Sequence, residues 1–297
     1  MVKIKWMLLM VAIGLMIQWM QSCTKDPIEN PDTDSDIELN ESADTILLNV
    51  QYGSHAQQVY DIFLPRQRNQ NTPILIMIHG GAWKAGRKED LNQYRDIIRA
   101  NWGNIAIVNM NYRLASNSDH IHHNEIMQDI DRVIQHVLSH QKTYNISSKM
   151  GIMGGSAGGQ LSMIYAYKYN KNIKCVGNFF GPSIISDWEW YNSTNIWLGG
   201  KVGNILAEYV GQTWDKEVYD AVSPYWNVNS STQPTISFQG VLDPIVPPNQ
   251  NKLLHEKLDI QGVENEYYEY FAFHGFDANQ SRDALLKMIG FFQKHIK

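Results

Sequence analysis

The chain has 297 residues, 43% of them hydrophobic, and a formal net charge of -5. That length and composition bury a sizeable core and place the chain among globular proteins. The charge is uneven: residues 1–22 carry only Lys3 and Lys5, residues 24–44 carry eight acids against Lys25, and the remainder is close to neutral, which excludes a basic face for nucleic acid.

At the amino terminus, Lys3 and Lys5 precede an apolar run from Trp6 to Met20, and Ser22-Cys23 closes it. The run is shorter than the ~20 residues a membrane-spanning helix needs. It resembles a bacterial lipoprotein signal, with Met20 where that pattern has leucine. The resemblance implies removal of residues 1–22, lipidation of Cys23, and an exported protein anchored to a membrane, facing the periplasm or the cell surface. An ordinary secretory signal or a short membrane anchor is the alternative. Residues 23–44 are acidic, contain Pro27 and Pro31, and lack apolar periodicity, as expected of a disordered tether. Lys25-Asp26 and the acids after it loosely resemble export tags of surface lipoproteins; a tether that simply stays solvated reads equally well. Only Cys23 and Cys175 are present, so no disulfide is expected, and Cys175 reads as a small buried hydrophobe.

From residue 45 to 297 strand-like and helix-like runs alternate. Thr45–Tyr52 and Gln57–Leu64 read as a hairpin around Gly53-Ser54. Ile74–Ile78 is a continuous apolar run of the kind buried on both faces of a sheet. Further strands are predicted at Ile105–Met110, Lys149–Gly154, Ile173–Phe180, Thr235–Gln239 and Asn265–Phe273. Helices are predicted at Leu91–Ala100, Glu125–His140, Ala157–Tyr169, Asn249–Leu258 and Ala278–Ile296. This alternation predicts one α/β domain, a mostly parallel sheet with helices on both faces. Between Pro182 and Pro234 the rhythm breaks, and that stretch holds five of the nine tryptophans, Trp188, Trp190, Trp197, Trp214 and Trp226. Residues 183–233 read as an insertion or lid over the carboxyl edge of the sheet, where open α/β sheets bind ligands.

Gly154-Gly155-Ser156-Ala157-Gly158-Gly159 lies where the strand ending at Gly154 meets the helix starting at Ala157. Small residues on either side of Ser156 fit a strained strand-to-helix turn that exposes its hydroxyl, the G-x-S-x-G nucleophile elbow; an ordinary tight turn is the alternative. A serine nucleophile needs a base, and the base needs an orienting acid. Asp243 follows the strand Thr235–Gln239 and His274 follows the strand at Asn265–Phe273, in the chain order this architecture uses. Asp277 competes with Asp243 but stands too close in sequence to its own histidine. Backbone N–H groups of Gly81 and Ala82, in His79-Gly80-Gly81-Ala82-Trp83 after the buried strand, would form an oxyanion hole with that of Ala157. His79 reads as a structural hydrogen-bonder. His120, His122 and His123 lack a partner pattern for metal and read as a solvated loop. Arg113 and Asp129 read as an ion pair, with substrate binding as the alternative. The lid tryptophans Trp188 and Trp190, with Trp83, either stack on sugar or simply pack.

Together with Asn111-Tyr112-Arg113-Leu114, Asp243-Pro244-Ile245-Val246-Pro247 and His274-Gly275-Phe276, these motifs resemble the α/β-hydrolase superfamily. They are closest to the esterase branch of hormone-sensitive-lipase-like enzymes and bacterial acetyl-xylan and feruloyl esterases. The resemblance implies hydrolysis of carboxylic esters through an acyl-enzyme, with Ser156 as nucleophile, His274 as base and then acid, and Asp243 as orienter. Many relatives have a third glycine where this chain has Ala82, whose N–H is still available. The expected substrate is a small ester or an acylated carbohydrate, with no metal or organic cofactor. An amide-cleaving relative and a glycan-binding protein on a hydrolase fold are the rival readings.

Overall fold

The computed structural model describes residues 39–169 and 172–296. The expected signal segment, Cys23 and the tether as far as residue 38 lie outside the described residues.

The strands are β1 (Thr45–Gln51), β2 (Val59–Leu64), β3 (Ile74–Ile78), β4 (Ala106–Met110), β5 (Met150–Gly155), β6 (Ile173–Phe179), β7 (Thr194–Asn195), β8 (Gly200–Lys201), β9 (Thr235–Gly240) and β10 (Asn265–Tyr270). An 8-stranded sheet runs β1-β2-β4-β3-β5-β6-β9-β10. β1 and β2 form the expected antiparallel hairpin and β2 pairs antiparallel to β4, while every pair from β4 to β10 is parallel. β7 and β8 form a separate ribbon.

Strand periodicity separates the core into two layers. Along β3, Ile74, Ile76 and Ile78 face one cluster and Leu75 and Met77 the other. The first face carries α2 (His123–Ser139), α3 (Gln141–Tyr144), α4 (Ala157–Tyr169) and α8 (Asn249–Ile260). The second carries α1 (Asn92–Asn101) and α9 (Ala278–His295), which pack together. In α9, Ser281, Ala284, Leu285, Met288, Ile289 and Phe292 recur at helical spacing and are buried, and Asp277 caps its first turn by accepting from Gln280 N at 2.9 Å. Asp277 is therefore a helix cap and not a rival to Asp243.

Three details depart from expectation. Residues 39–44, assigned to the tether, are held by the domain: Arg68 Nη1 donates to Asn40 O and Ala43 O at 3.2 Å, and Asp44 Oδ1 accepts from Arg66 N at 2.8 Å. β10 stops at Tyr270, because Ala272 N turns back to Tyr270 O, and this leaves Phe271 and Phe273 exposed before His274. His122 and His123 are not a solvated loop. His122 N donates to Glu125 Oε2 at 3.0 Å at the start of α2 and its Nδ1 donates to Glu208 O at 2.8 Å, while His123 is buried against the Tyr209 hydroxyl at 2.7 Å. The segment 183–233 has structure of its own: α5 (Trp188–Asn192), the β7–β8 ribbon, α6 (Val202–Val210), α7 (Lys216–Ala221) and a short 3-10 turn at Pro224–Asn227. No helix of the described residues is long and apolar enough to cross a membrane.

Candidate active site

Ser156 occupies the corner between β5 and α4 with φ of 54°, a left-handed conformation that costs a β-carbon-bearing residue about 1–3 kcal/mol. The surroundings hold it there. Ser156 N donates to Phe179 O at 2.8 Å, and Ser156 O accepts from Gly159 N at 2.9 Å. The glycines make the corner possible: a Cβ at Gly158 would stand 2.1 Å from Ile78 O, and one at Gly80 would stand 3.2 Å from Ser156 Cβ. Close approach of β3, the loop after it and the elbow thus depends on missing side chains.

Across 118 residues of sequence, His274 Nε2 lies 2.8 Å from Ser156 Oγ. Its Nδ1 lies 2.7 Å from Asp243 Oδ2. A carboxylate only accepts, so Nδ1 carries the proton and Nε2 is left free to accept from the serine. The Asp243 side chain is fully buried and its Oδ1 accepts from Ile245 N at 2.8 Å and Val246 N at 3.0 Å. Phe180 sets its ring edge-on to His274 at 4.9 Å.

The loop after β3 takes Gly81, Ala82 and Trp83 through φ of 111°, 50° and 62°. None of the N–H groups of Gly81, Ala82 and Ala157 has an acceptor among the described residues. His79 beneath this loop stacks on Tyr112 at 4.3 Å and its Nδ1 donates to Gly80 O at 2.7 Å. Burial lowers its pKa, so the ring is neutral and structural, as expected of it. Arg113 forks onto Asp129, with Nη2 at 2.7 Å from Oδ1, and Asp129 is fully buried, so this pair braces the fold.

A cavity of about 400 Å³ opens over Ser156 and His274, lined by Gly81, Ala82, Trp83, Phe180, Trp190 and Ile245 among others. Among the described residues no acidic or basic side chain other than His274 lines it. Of the three aromatic residues expected at the substrate, Trp83 and Trp190 are cavity wall. Trp83 is buried against Tyr209, and Trp190 Nε1 donates to Ile245 O at 2.9 Å. Trp188 lies outside the lining and packs on Tyr191 and Trp214, a correction to the expectation. Trp197 takes that place: 63% exposed, it lines the mouth from the tip of the β7–β8 ribbon. Its short ribbon has no periodicity by which the sequence could single it out from the other tryptophans. Among the described residues no group of three or more His, Cys, Asp or Glu could hold a metal ion.

The sheet, its flanking helices and the elbow at the carboxyl edge make up an α/β-hydrolase fold. More narrowly, the chain belongs to the BD-FAE family, whose model matches residues 60–258. Among solved structures, a bifunctional GH43-CE protein from Bacteroides eggerthii superposes with a TM-score of 0.70 at 20% identity, over 86% of this chain and 38% of its own. This chain thus spans well under half the length of that relative. A truncated carbohydrate esterase from gut microbiota has a TM-score of 0.68 at 20% identity, over 91% of this chain and 99% of its own. An acetyl ester-xyloside bifunctional hydrolase from Caldicellulosiruptor lactoaceticus has a TM-score of 0.64 at 19% identity, over 80% of this chain and 88% of its own. At these identities the likeness is one of fold.

Proposed function

We propose that Ser156, His274 and Asp243 form a catalytic triad that removes acetyl or hydroxycinnamoyl groups from carbohydrate through an acyl-enzyme. The single observation that carries the reading is the continuous chain Ser156 Oγ to His274 Nε2 at 2.8 Å and His274 Nδ1 to Asp243 Oδ2 at 2.7 Å, at the floor of the cavity. As Oγ bonds to the ester carbonyl carbon, its proton passes to Nε2. The oxyanion is met by the N–H groups of Gly81, Ala82 and Ala157. The alcohol leaves with the proton from Nε2, and water, deprotonated by the same nitrogen, then releases the acid and frees Oγ. General base catalysis and one oxyanion donor each contribute about 10²-fold or more.

Carbohydrate as the alcohol is supported by the family, by two structural neighbours named as a carbohydrate esterase and an acetyl ester-xyloside bifunctional hydrolase, and by the exposed Trp197 ring lining the cavity, which suits stacking on a sugar face. Export and lipid anchoring through Cys23 belong to the same proposal and rest on the amino-terminal sequence pattern. Release of acetate and ferulate from acetylated and feruloylated xylo-oligosaccharides, measured beside an aryl acetate with wild type and Ser156→Ala, tests it. Cleavage of the oligosaccharides by wild type alone supports the reading. Turnover that survives in Ser156→Ala rejects the nucleophile, and cleavage of the aryl ester alone rejects carbohydrate.

A further inference from the structure

Helix α6 has two working faces. Val202, Ile205 and Leu206 line the cavity. From its last turn, Glu208 and Tyr209 reach the loop that carries Gly81 and Ala82. The Glu208 carboxylate pairs with Lys84, and the Tyr209 ring stacks on Trp83 at 4.3 Å with 13° between planes. The Tyr209 hydroxyl donates to Gln160 Oε1 at 3.0 Å, and the same oxygen accepts from Trp83 Nε1 at 2.9 Å. Gln160 sits in the first turn of α4, directly after the elbow, and its Nε2 donates to Val222 O at 2.9 Å.

The protons in this cluster are assigned by its connectivity. Because the Tyr209 hydroxyl proton goes to Gln160, its oxygen accepts from His123 Nδ1–H at 2.7 Å. His123 Nε2 is then bare, buried and unpartnered, in keeping with a ring that burial holds neutral, its pKa lowered to about 3. Trp83, Gln160 and Tyr209 are all buried.

Such a grip answers a need of the loop itself. Ala82 and Trp83 are two successive non-glycine residues with φ of 50° and 62°, a conformation that persists only where surrounding contacts fix it. The Trp83 side chain is the loop's handle, held by a ring on one face and an acceptor at its nitrogen. We propose that Tyr209 and Gln160 are positioning residues for the oxyanion hole, gripping Trp83 so that the N–H groups of Gly81 and Ala82 face the developing oxyanion. The insertion is then a working part of the catalytic apparatus as well as a wall of the cavity. This rests on Ser156 being the nucleophile.

The test compares full-length wild type, Tyr209→Phe, Tyr209→Leu, Trp83→Phe and Gln160→Met on an aryl acetate, with Ser156→Ala as the blank. A trifluoromethyl ketone that forms an oxyanion adduct is titrated beside an unreactive ketone of the same shape. A misplaced oxyanion hole lowers kcat and leaves ground-state binding alone. Tyr209→Leu and Gln160→Met are expected to lower kcat about 10- to 100-fold with KM within about 3-fold, and to weaken the trifluoromethyl ketone, but not the unreactive one, by the same factor. Tyr209→Phe keeps the stack and loses only the hydroxyl, so about a 3- to 10-fold loss is expected, and it serves where the leucine variant does not fold. In a Trp83→Phe background, Gln160→Met is expected to cost less than alone, since of the three hydrogen bonds it breaks the one that grips Trp83 is already gone. Unchanged kcat, a rise in KM alone, equal weakening of both ketones, or strict additivity overturns the proposal while leaving the nucleophile intact. An inactive wild type, or an active Ser156→Ala, overturns both.

Discussion

Gln239 donates its side-chain N–H to Asp243 Oδ2 at 3.0 Å, the same oxygen that receives His274 Nδ1. Gln239 Oε1 in turn accepts from Asn251 Nδ2 at 2.7 Å, and Asn251 Oδ1 accepts from Asn178 Nδ2 at 3.0 Å. Asn178 Oδ1 then accepts from Gly181 N at 2.9 Å, beside the elbow. These side chains are fully buried, so each amide must be satisfied by the next, and the acid is tied through β9, α8 and β6 to the serine corner.

Gln239→Leu is therefore expected to lower kcat about 10-fold by freeing the Asp243 carboxylate to rotate. In Gln239→Glu two buried carboxyl groups side by side do not both ionise, so the new side chain stays protonated and replaces the amide as donor to Asp243, and kcat is expected to stay closer to wild type than in Gln239→Leu. Equal losses in the two variants mean that this hydrogen bond does not support the acid.

The cavity wall offers a second expectation. Ile205 and Leu206 of α6 line about 400 Å³ of largely apolar space, far more than an acetyl group fills. Ile205→Phe adds volume there without touching Ser156, His274 or Asp243. Hydrolysis of a hydroxycinnamoyl ester is expected to fall about 10-fold or more in kcat/KM while an acetyl ester changes less than about 3-fold, because overpacking penalises only the acyl group that needs the space. Equal losses on both esters would mean that the acyl group does not enter this part of the cavity.

Sequence order alone brought out the elbow at Ser156 and the residues Asp243 and His274, because each follows a run whose apolar pattern marks a strand. The amides that support them were not legible. Asn251 sits in an α8 whose pattern is mostly polar, and Gln239 in a strand too short to show which face it serves. Trp188 and Trp197 illustrate the same limit: one lies in a five-residue helix and the other between two-residue strands, too short for a periodic pattern, so only packing decides that Trp188 stacks on Tyr191 while Trp197 faces the cavity. His122 and His123 read as loop because histidine carries no usual N-cap signature and their partners, Glu208 O and the Tyr209 hydroxyl, come from the distant insertion.

Buried histidines set an acid limit on stability. Burial lowers the ring pKa of His123 to about 3 and of His255 to about 4, from 6.5 when unfolded. Both are neutral in the fold, so between pH 6.5 and about 4 the unfolded chain binds more protons, and stability falls as pH falls through that window. The slope approaches ~1.4 kcal/mol per pH unit for each ring. Urea unfolding from pH 7 to 4.5 is expected to show this loss, and His255→Gln, whose amide can still donate to Asn265 Oδ1, is expected to lessen it. An unchanged slope in that variant would place the acid sensitivity elsewhere.

The elbow carries the last expectation, since its glycines serve packing and chemistry at once. A Cβ at Gly158 would lie 2.1 Å from Ile78 O and 2.6 Å from His79 O, contacts that only movement of α4 away from β3 can relieve. α4 begins at Ala157, whose N–H is one of the proposed oxyanion donors, and β3 leads into the loop with the other two. Gly158→Ala therefore separates the two halves of the oxyanion hole as well as straining the core. A stability loss of about 1–3 kcal/mol is expected from overpacking, with kcat falling about 10²-fold even at temperatures where the variant is fully folded. Gly103→Ala, at a site with nothing within 4 Å of the added carbon, is the matched control and is expected to change neither quantity. Circular dichroism melts paired with turnover on an aryl acetate separate the two effects. If Gly158→Ala loses stability but keeps full kcat once folded, the approach of α4 to β3 is a packing requirement only, and the donors on either side of it tolerate the shift.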